Sequence, residues 1–292
     1  MFAIFGATGK VGYATAAALR QAGMQVRAIV RNESKAGPLR EIGCEIVIAN
    51  LYDPESLTEA FRNADVVQII LPPTMDAADP AEKLREGINN LANALEKTRP
   101  RRLLAISDYG AHVENDIGMP TICRGLEERL ARIGGHKIFL RSAEHMQGWE
   151  RVIPAVKESG KLPTFHSSVD KPFPTISAPD LGPIATRLLL RPLDRSGVDV
   201  VHAEGPKRYC AADVANELGG HLGRIIETSV IPREQWKEVF EQAMKPSLAE
   251  LLIKANDAQN QGGLVDIEPN SDEVYFGTTT LFDALGQSLK LL

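Results

Sequence analysis

Cysteine is scarce. Three residues, Cys44, Cys123 and Cys210, are spread over 292 positions with no CxxC pair. So sparse and odd a set frames neither a disulfide scaffold nor a cysteine zinc site, and a reducing, cytoplasmic setting is the simplest expectation. HExxH, HxxxH and acidic clusters with metal-ligand spacing are absent, so no metal site is expected. No stretch approaches the roughly 20 apolar residues of a membrane helix, and no basic segment followed by an apolar core opens the chain. Excess positive charge is lacking too: 33 Lys and Arg face 38 Asp and Glu, a net charge of -5. Such a surface does not attract phosphate backbones, which argues against direct nucleic-acid binding. Internal repeats and low-complexity tracts are also missing. What is present is the ordinary balance of a globular chain, 43% hydrophobic and 24% charged, long enough for a large α/β domain with a smaller lobe.

The first half alternates between two periods. MFAIF, VRAIV, CEIVIAN, DVVQIILP, RRLLAIS and HKIFLRSA read as apolar strands, separated by helical stretches such as VGYATAAALRQAG and PAEKLREGINNLANALEKTR. Asp53-Pro54 is an N-cap followed by proline at the first helical position. Strands alternating with helices predict βαβ units and a Rossmann-type, doubly wound parallel sheet, α/β in class, with a small C-terminal α/β lobe. Residues 1–149 are expected to form the Rossmann domain, completed by elements around 175–205, and 150–292 a lid that does not fold alone. KLPTFHSSVDKPFPTISAPD reads as loop with short strands, AADVANELGGHL as a helix, and REQWKEVFEQAMKPSLAELLIKAND as a helix broken at Pro246.

GATGKVG follows the first strand and opens the first helix. Gly6 permits the sharp turn, Gly9 lets the backbone approach a pyrophosphate, and Gly12 lets the helix pack closely on the strand. The helix N-terminus, with Val11 in its first turn, offers N–H groups, and Thr8 and Lys10 add side-chain donors. The spacing is GxxGxxG rather than GxGxxG. After the second strand, where an acidic residue would bind the 2′-hydroxyl of NAD, stands Arg31, with Lys35 one turn on. A guanidinium pairs with a 2′-phosphate, so NADP(H) is preferred and NAD(H) is the alternative. Asn50 and Leu51 are placed to flank the adenine, and Leu71, Pro72 and Pro73 to line the nicotinamide ribose.

These pieces, together with LYDPESLTEAFRNADVV, AISDYGAH and LRSAEHMQGW, resemble the NmrA-like family of atypical short-chain dehydrogenases/reductases. Weaker similarity continues through ISAPDLGPIATRLLL and AEGPKRYCAADVANELGGHLGR. The resemblance implies an NAD(P)(H)-binding domain with a lobe closing over a cleft. It also implies either a reductase, quinone reductases included, or a sensor of redox state that controls a protein partner.

The Tyr-x-x-x-Lys pair of the superfamily is missing. Its positions fall on Met119 and about Cys123, with Arg124 one residue off. Its absence argues against nucleotide-sugar epimerase chemistry. The remaining proton donors are Ser107, Asp108 and Tyr109 after the fifth strand, and His145 after the sixth, beside Glu144; His112 is a weaker candidate. The expected activity is NADPH-dependent hydride transfer to a small quinone or carbonyl substrate, an electrophilic acceptor that needs less help than a ketone. The alternative is a non-catalytic NAD(P)(H) sensor with a regulatory protein partner. The loop from Phe165 to Pro174 is expected to shape the substrate pocket. A monomer and a homodimer are equally compatible with the sequence.

Overall fold

The computed structural model describes residues 1–72, 77–194 and 196–291. The first half runs β1 (Phe2–Phe5), α1 (Lys10–Gln21), β2 (Val26–Val30), α2 (Gly37–Glu41), β3 (Glu45–Ile48), α3 (Pro54–Phe61), β4 (Val66–Ile69), α4 (Pro80–Thr98), β5 (Arg102–Asp108), α5 (Met119–Ala131) and β6 (His136–Ser142). The second half runs β7 (Glu144–His145), α6 (Ile153–Ser159), β8 (Lys161–Thr164), β9 (Thr175–Ile176), α7 (Leu181–Leu189), β10 (Gly197–Glu204), α8 (Ala211–Leu222), β11 (Glu227–Val230), α9 (Trp236–Ala243), α10 (Pro246–Gln261), β12 (Val274–Phe276) and α11 (Leu281–Leu291).

Eight strands form one sheet in the order β12-β10-β6-β5-β4-β1-β2-β3. Each strand pairs with its neighbours in parallel. Parallel strands need helical crossovers, so both faces are covered and the strands are apolar on both sides. Ala3, Phe5, Val67, Ile69, Leu103 and Ala105 join Leu57, Phe61, Leu91 and Leu126 of α3, α4 and α5 in one core layer. The alternate residues Ile4, Ala28, Val30, Leu104 and Ile106 join Val11, Leu19, Leu181 and Leu188 of α1 and α7 in the other. Helix starts are fixed locally. Asp53 accepts from the N–H groups of Glu55 and Ser56, and Asp79 from that of Glu82, each with proline at the first helical position.

The sheet order reverses between β1 and β4, and ligands of such sheets bind outside the carboxyl ends of the strands at that point. The later elements assemble over the same edge. Met146, Trp149, Ile153, Leu162, Val214, Leu218, Leu281 and Leu285 make a separate core, beside the parallel pair β8 and β11. Pro246 opens α10 rather than kinking one long helix, because Met244 before it is fully extended. β12 is an addition to the sequence reading: three residues, VYF, pair with β10 and form the sheet's outer edge.

Candidate functional site

The turn after β1 sits at the reversal point. Gly6 has φ +78°, a conformation that only glycine adopts without strain. A Cβ on Gly12 would lie 2.3 Å from the Gly6 carbonyl oxygen, so glycine is required for α1 to close on the loop. Gly9 is exposed and caps α1 with extended backbone and no side-chain bond. No acidic residue stands in the first turn. Among the described residues no backbone acceptor reaches the N–H groups of Lys10, Val11 and Gly12. Three free donors at a positive dipole end, under a residue with no side chain, suit a pyrophosphate. Thr8 is exposed beside them, whereas the Val11 side chain is in the core. The Lys10 ammonium is engaged: it pairs with Glu150, whose Oε1 also accepts from the Ser288 hydroxyl at 2.7 Å.

Arg31 leaves β2 exposed and, among the described residues, forms no ion pair. Lys35 ends the short 3-10 turn Glu33–Lys35, also exposed. The sequence reading missed Tyr52. Its exposed ring lies under the Lys83 ammonium, 4.7 Å from its centroid; burial pushes its phenol up, with Glu86 adding and Lys83 and Arg31 opposing. Its signal was weak, since one tyrosine in a loop says nothing until β2 and β3 are paired. Asn50 is exposed and holds the turn by accepting from the Tyr52 N–H at 3.0 Å. Leu51 departs from expectation. Its side chain is buried against Gly87 of α4, because the loop folds back under that helix, so it does not offer an adenine contact. Leu71 and Pro72 follow β4, half-buried; Pro73 lies outside the described residues.

Two of the sequence-proposed proton donors are diverted. The Ser107 hydroxyl donates to Glu127 Oε1 at 2.5 Å, and Glu127 is gripped by Arg141 through Nε at 3.0 Å and Nη2 at 2.7 Å. All three are buried, so Ser107 serves this network rather than a cleft. Tyr109 is 0% exposed, in the core layer beneath α1 and α7, with its ring edge-on to His202. Burial and the Glu204 carboxylate hold its phenol strongly protonated. Ser107 continues the face of Leu103 and Ala105 toward α5, whereas Tyr109, just past the end of β5, turns into the opposite layer. The weaker candidate His112 is half-buried, and Arg124 is tied to the Val113 carbonyl.

Asp108, Cys123, Glu144 and His145 gather instead near the carboxyl ends of β5 and β6. Each is crowded by protein yet keeps solvent-accessible surface. His145 is pushed down to about 4 by burial and then by Lys10, which places it next to the glycine loop and neutral at pH 7. Asp108 is pushed up to about 7 by burial and by Glu144, with Glu127 adding to the effect and the Tyr109 backbone N–H opposing it. Cys123 is held well above the usual thiol range by burial, Asp108 and Glu127, so it is not a nucleophile. In the later elements, Phe165 stacks on Phe240 at 4.4 Å and meets Trp236 at 5.5 Å, and His166 stacks on Phe173 at 4.1 Å. Among the described residues no group of His, Cys, Asp and Glu is arranged to hold a metal, and no helix is long and apolar enough to cross a membrane.

Residues 6–129 match a family of NAD(P)H-binding domains. The NAD(P)H azoreductase of Xenophilus azovorans is 23% identical over 255 residues, 86% of this chain and 85% of that protein. Two solved structures share the fold along the whole length. The NADPH-dependent quinone oxidoreductase of Escherichia coli superposes with a TM-score of 0.77 at 22% identity, covering 99% of this chain and 100% of that one. The triphenylmethane reductase of a Citrobacter species does so with 0.79 at 21%, covering 99% of each.

Proposed function

We propose that this chain, NAD(P)H-binding over residues 6–129, is an NADP(H)-dependent oxidoreductase that delivers hydride to a small, electron-poor, conjugated acceptor such as a quinone or an azo compound. The observation that carries it is the pairing of a free helix N-terminus at Gly9 with an unpaired, exposed Arg31 across the same edge. The first suits the pyrophosphate and the second a 2′-phosphate. When bound, the dinucleotide supplies hydride. The chain's own residues hold it through the Lys10, Val11 and Gly12 N–H groups and Arg31. They also set a half-buried, neutral His145 beside the loop as a hydrogen-bond donor. The NmrA-like resemblance of the sequence and the reductases above, an azoreductase, a quinone oxidoreductase and a dye reductase, support the same reading. The partner in this reading is a small molecule, in a cytoplasmic setting.

The test is a fluorescence titration with NADPH and NADH, followed by addition of a quinone. NADPH binds more tightly and is oxidised on quinone addition. Arg31→Ala weakens NADPH by about 10-fold or more, the size of a charge-assisted bond, and leaves NADH within about twofold. Equal losses for both remove the NADP(H) assignment. Tight NADPH binding with no oxidation by any quinone or azo acceptor moves the chain to the sensor reading.

A further inference from the structure

Adding hydride to a carbonyl or azo group leaves an anion, and the reaction is complete only when a proton follows. Of the side chains at the carboxyl edge, Ser107 is committed to Glu127, Tyr109 is in the core, and Cys123 keeps its proton. Asp108 remains. It is the last residue of β5, level with Ser142 on β6, and half-exposed. Its neighbourhood reaches toward the glycine loop: Asp108 feels the charge of Glu144, and His145, next in the chain, feels that of Lys10 at the start of α1. The charged and titratable groups around Asp108 are Glu144 from β7, with Arg151 beyond it, and Cys123 and Glu127 from α5; Glu127 is itself neutralised by Arg141. No cation among the described residues pairs with Asp108.

We propose that Asp108 is the proton donor of the reductase reading above: its carboxylic O–H bond breaks as an O–H or N–H bond forms on the acceptor that has taken hydride from the reduced dinucleotide, and the carboxylate is reprotonated from solvent. Quinone, hydride and proton together make hydroquinone, so electrons and atoms balance. The surroundings keep the carboxyl neutral for this work. Burial and two nearby carboxylates push Asp108 up to about 7, where an acid is both protonated and able to release its proton.

A cationic triphenylmethane dye is the natural control, because its central carbon becomes neutral on taking hydride alone and needs no proton. The experiment compares quinone and dye turnover by the wild type and Asp108→Asn, and in parallel follows the carboxylic C=O infrared band of the protein without cofactor as pH is raised. The ratio of quinone to dye turnover falls about 10²-fold in Asp108→Asn, the usual scale of a positioned acid. The wild-type protein shows a carboxylic band that titrates near 7 and is lost in the variant. Independently of any variant, wild-type kcat/KM for quinone drops as pH rises through that value while that for the dye does not. An unchanged ratio, a missing band or parallel pH profiles overturn the donor assignment alone. Failure of the wild type to consume NADPH with either acceptor overturns the reductase reading and the donor with it.

Discussion

At the scale of single residues, Gly12 and Asp108 differ in how visible they are. Gly12 is legible in GATGKVG, and the structure adds the reason: a methyl there would meet the Gly6 oxygen at 2.3 Å and the Ala7 Cα at 2.9 Å. Gly12→Ala therefore costs about 1–3 kcal/mol as an overpacking change. It also weakens NADPH, because the loop must shift away from α1. Denaturant melts and the NADPH titration check both, and wild-type affinity in a destabilised variant removes the loop from the binding site. Asp108 stood in the sequence only as one of three candidate donors after the fifth strand, and nothing there set it above Ser107 and Tyr109. Its chemistry is set by burial first and then by Glu144 and Glu127, which arrive only when β5, β7 and α5 meet. Tyr109 and Ser107 looked better in sequence because phenols and hydroxyls are common donors. Their fates are decided by the Arg141–Glu127 pair, which takes Ser107, and by the turn after β5, which drops Tyr109 into the core.

At the scale of elements, strong patterns were readable and weak ones were not. The six strands of the first half were each marked by apolar runs, and α3 by Asp53-Pro54. β12 was not, because a three-residue edge strand carries too little pattern to stand out from its loop. The fit of α7 to the sheet was also hidden. Arg102, 0% exposed on β5, reaches the carbonyls at the end of α7: Leu189 at 3.0 Å, Arg191 at 2.5 Å and Pro192 at 2.6 Å. Its Nε donates to His136 Nδ1 at 3.0 Å, and His136 Nε2 lies 2.9 Å from Asp199. The guanidinium thus satisfies the open carbonyl end of a helix and complements its dipole. Arg102→Met keeps the volume and strands those acceptors in the core. It lowers stability by about 3 kcal/mol or more, seen as an earlier urea midpoint. A midpoint within experimental error of the wild type's would mean that water reaches the end of α7.

At the scale of the whole molecule, acidity works against the fold through its histidines. His145, His166 and His202 are each held down to about 4 by burial, against an ordinary 6.5. Below 6.5 the unfolded chain takes up protons that the folded one refuses, so stability falls as pH drops from about 6.5 to about 4. Asp108, raised in the fold, acts with the opposite sign over about 4 to 7, and Glu144, also raised by burial, acts with it, while His112, also lowered by burial, adds to the histidines. The melting temperature should fall steadily on acidification through this window, and a flat or rising curve would show that the histidines are solvated. His202 localises the effect. Its Nε2 accepts from the Glu268 N–H at 3.3 Å and its Nδ1 meets the Ser271 hydroxyl at 2.9 Å, so protonation sets N–H against N–H and frees that loop to hydrogen exchange. Strand order has a further consequence for how the molecule comes into being. β1 lies inside the sheet and the first six strands grow outward from it, so a nascent chain leaving the ribosome can build the glycine loop early. β12 and Ser288, which shares Glu150 with Lys10, come much later in translation, so the loop is formed before its lysine is latched.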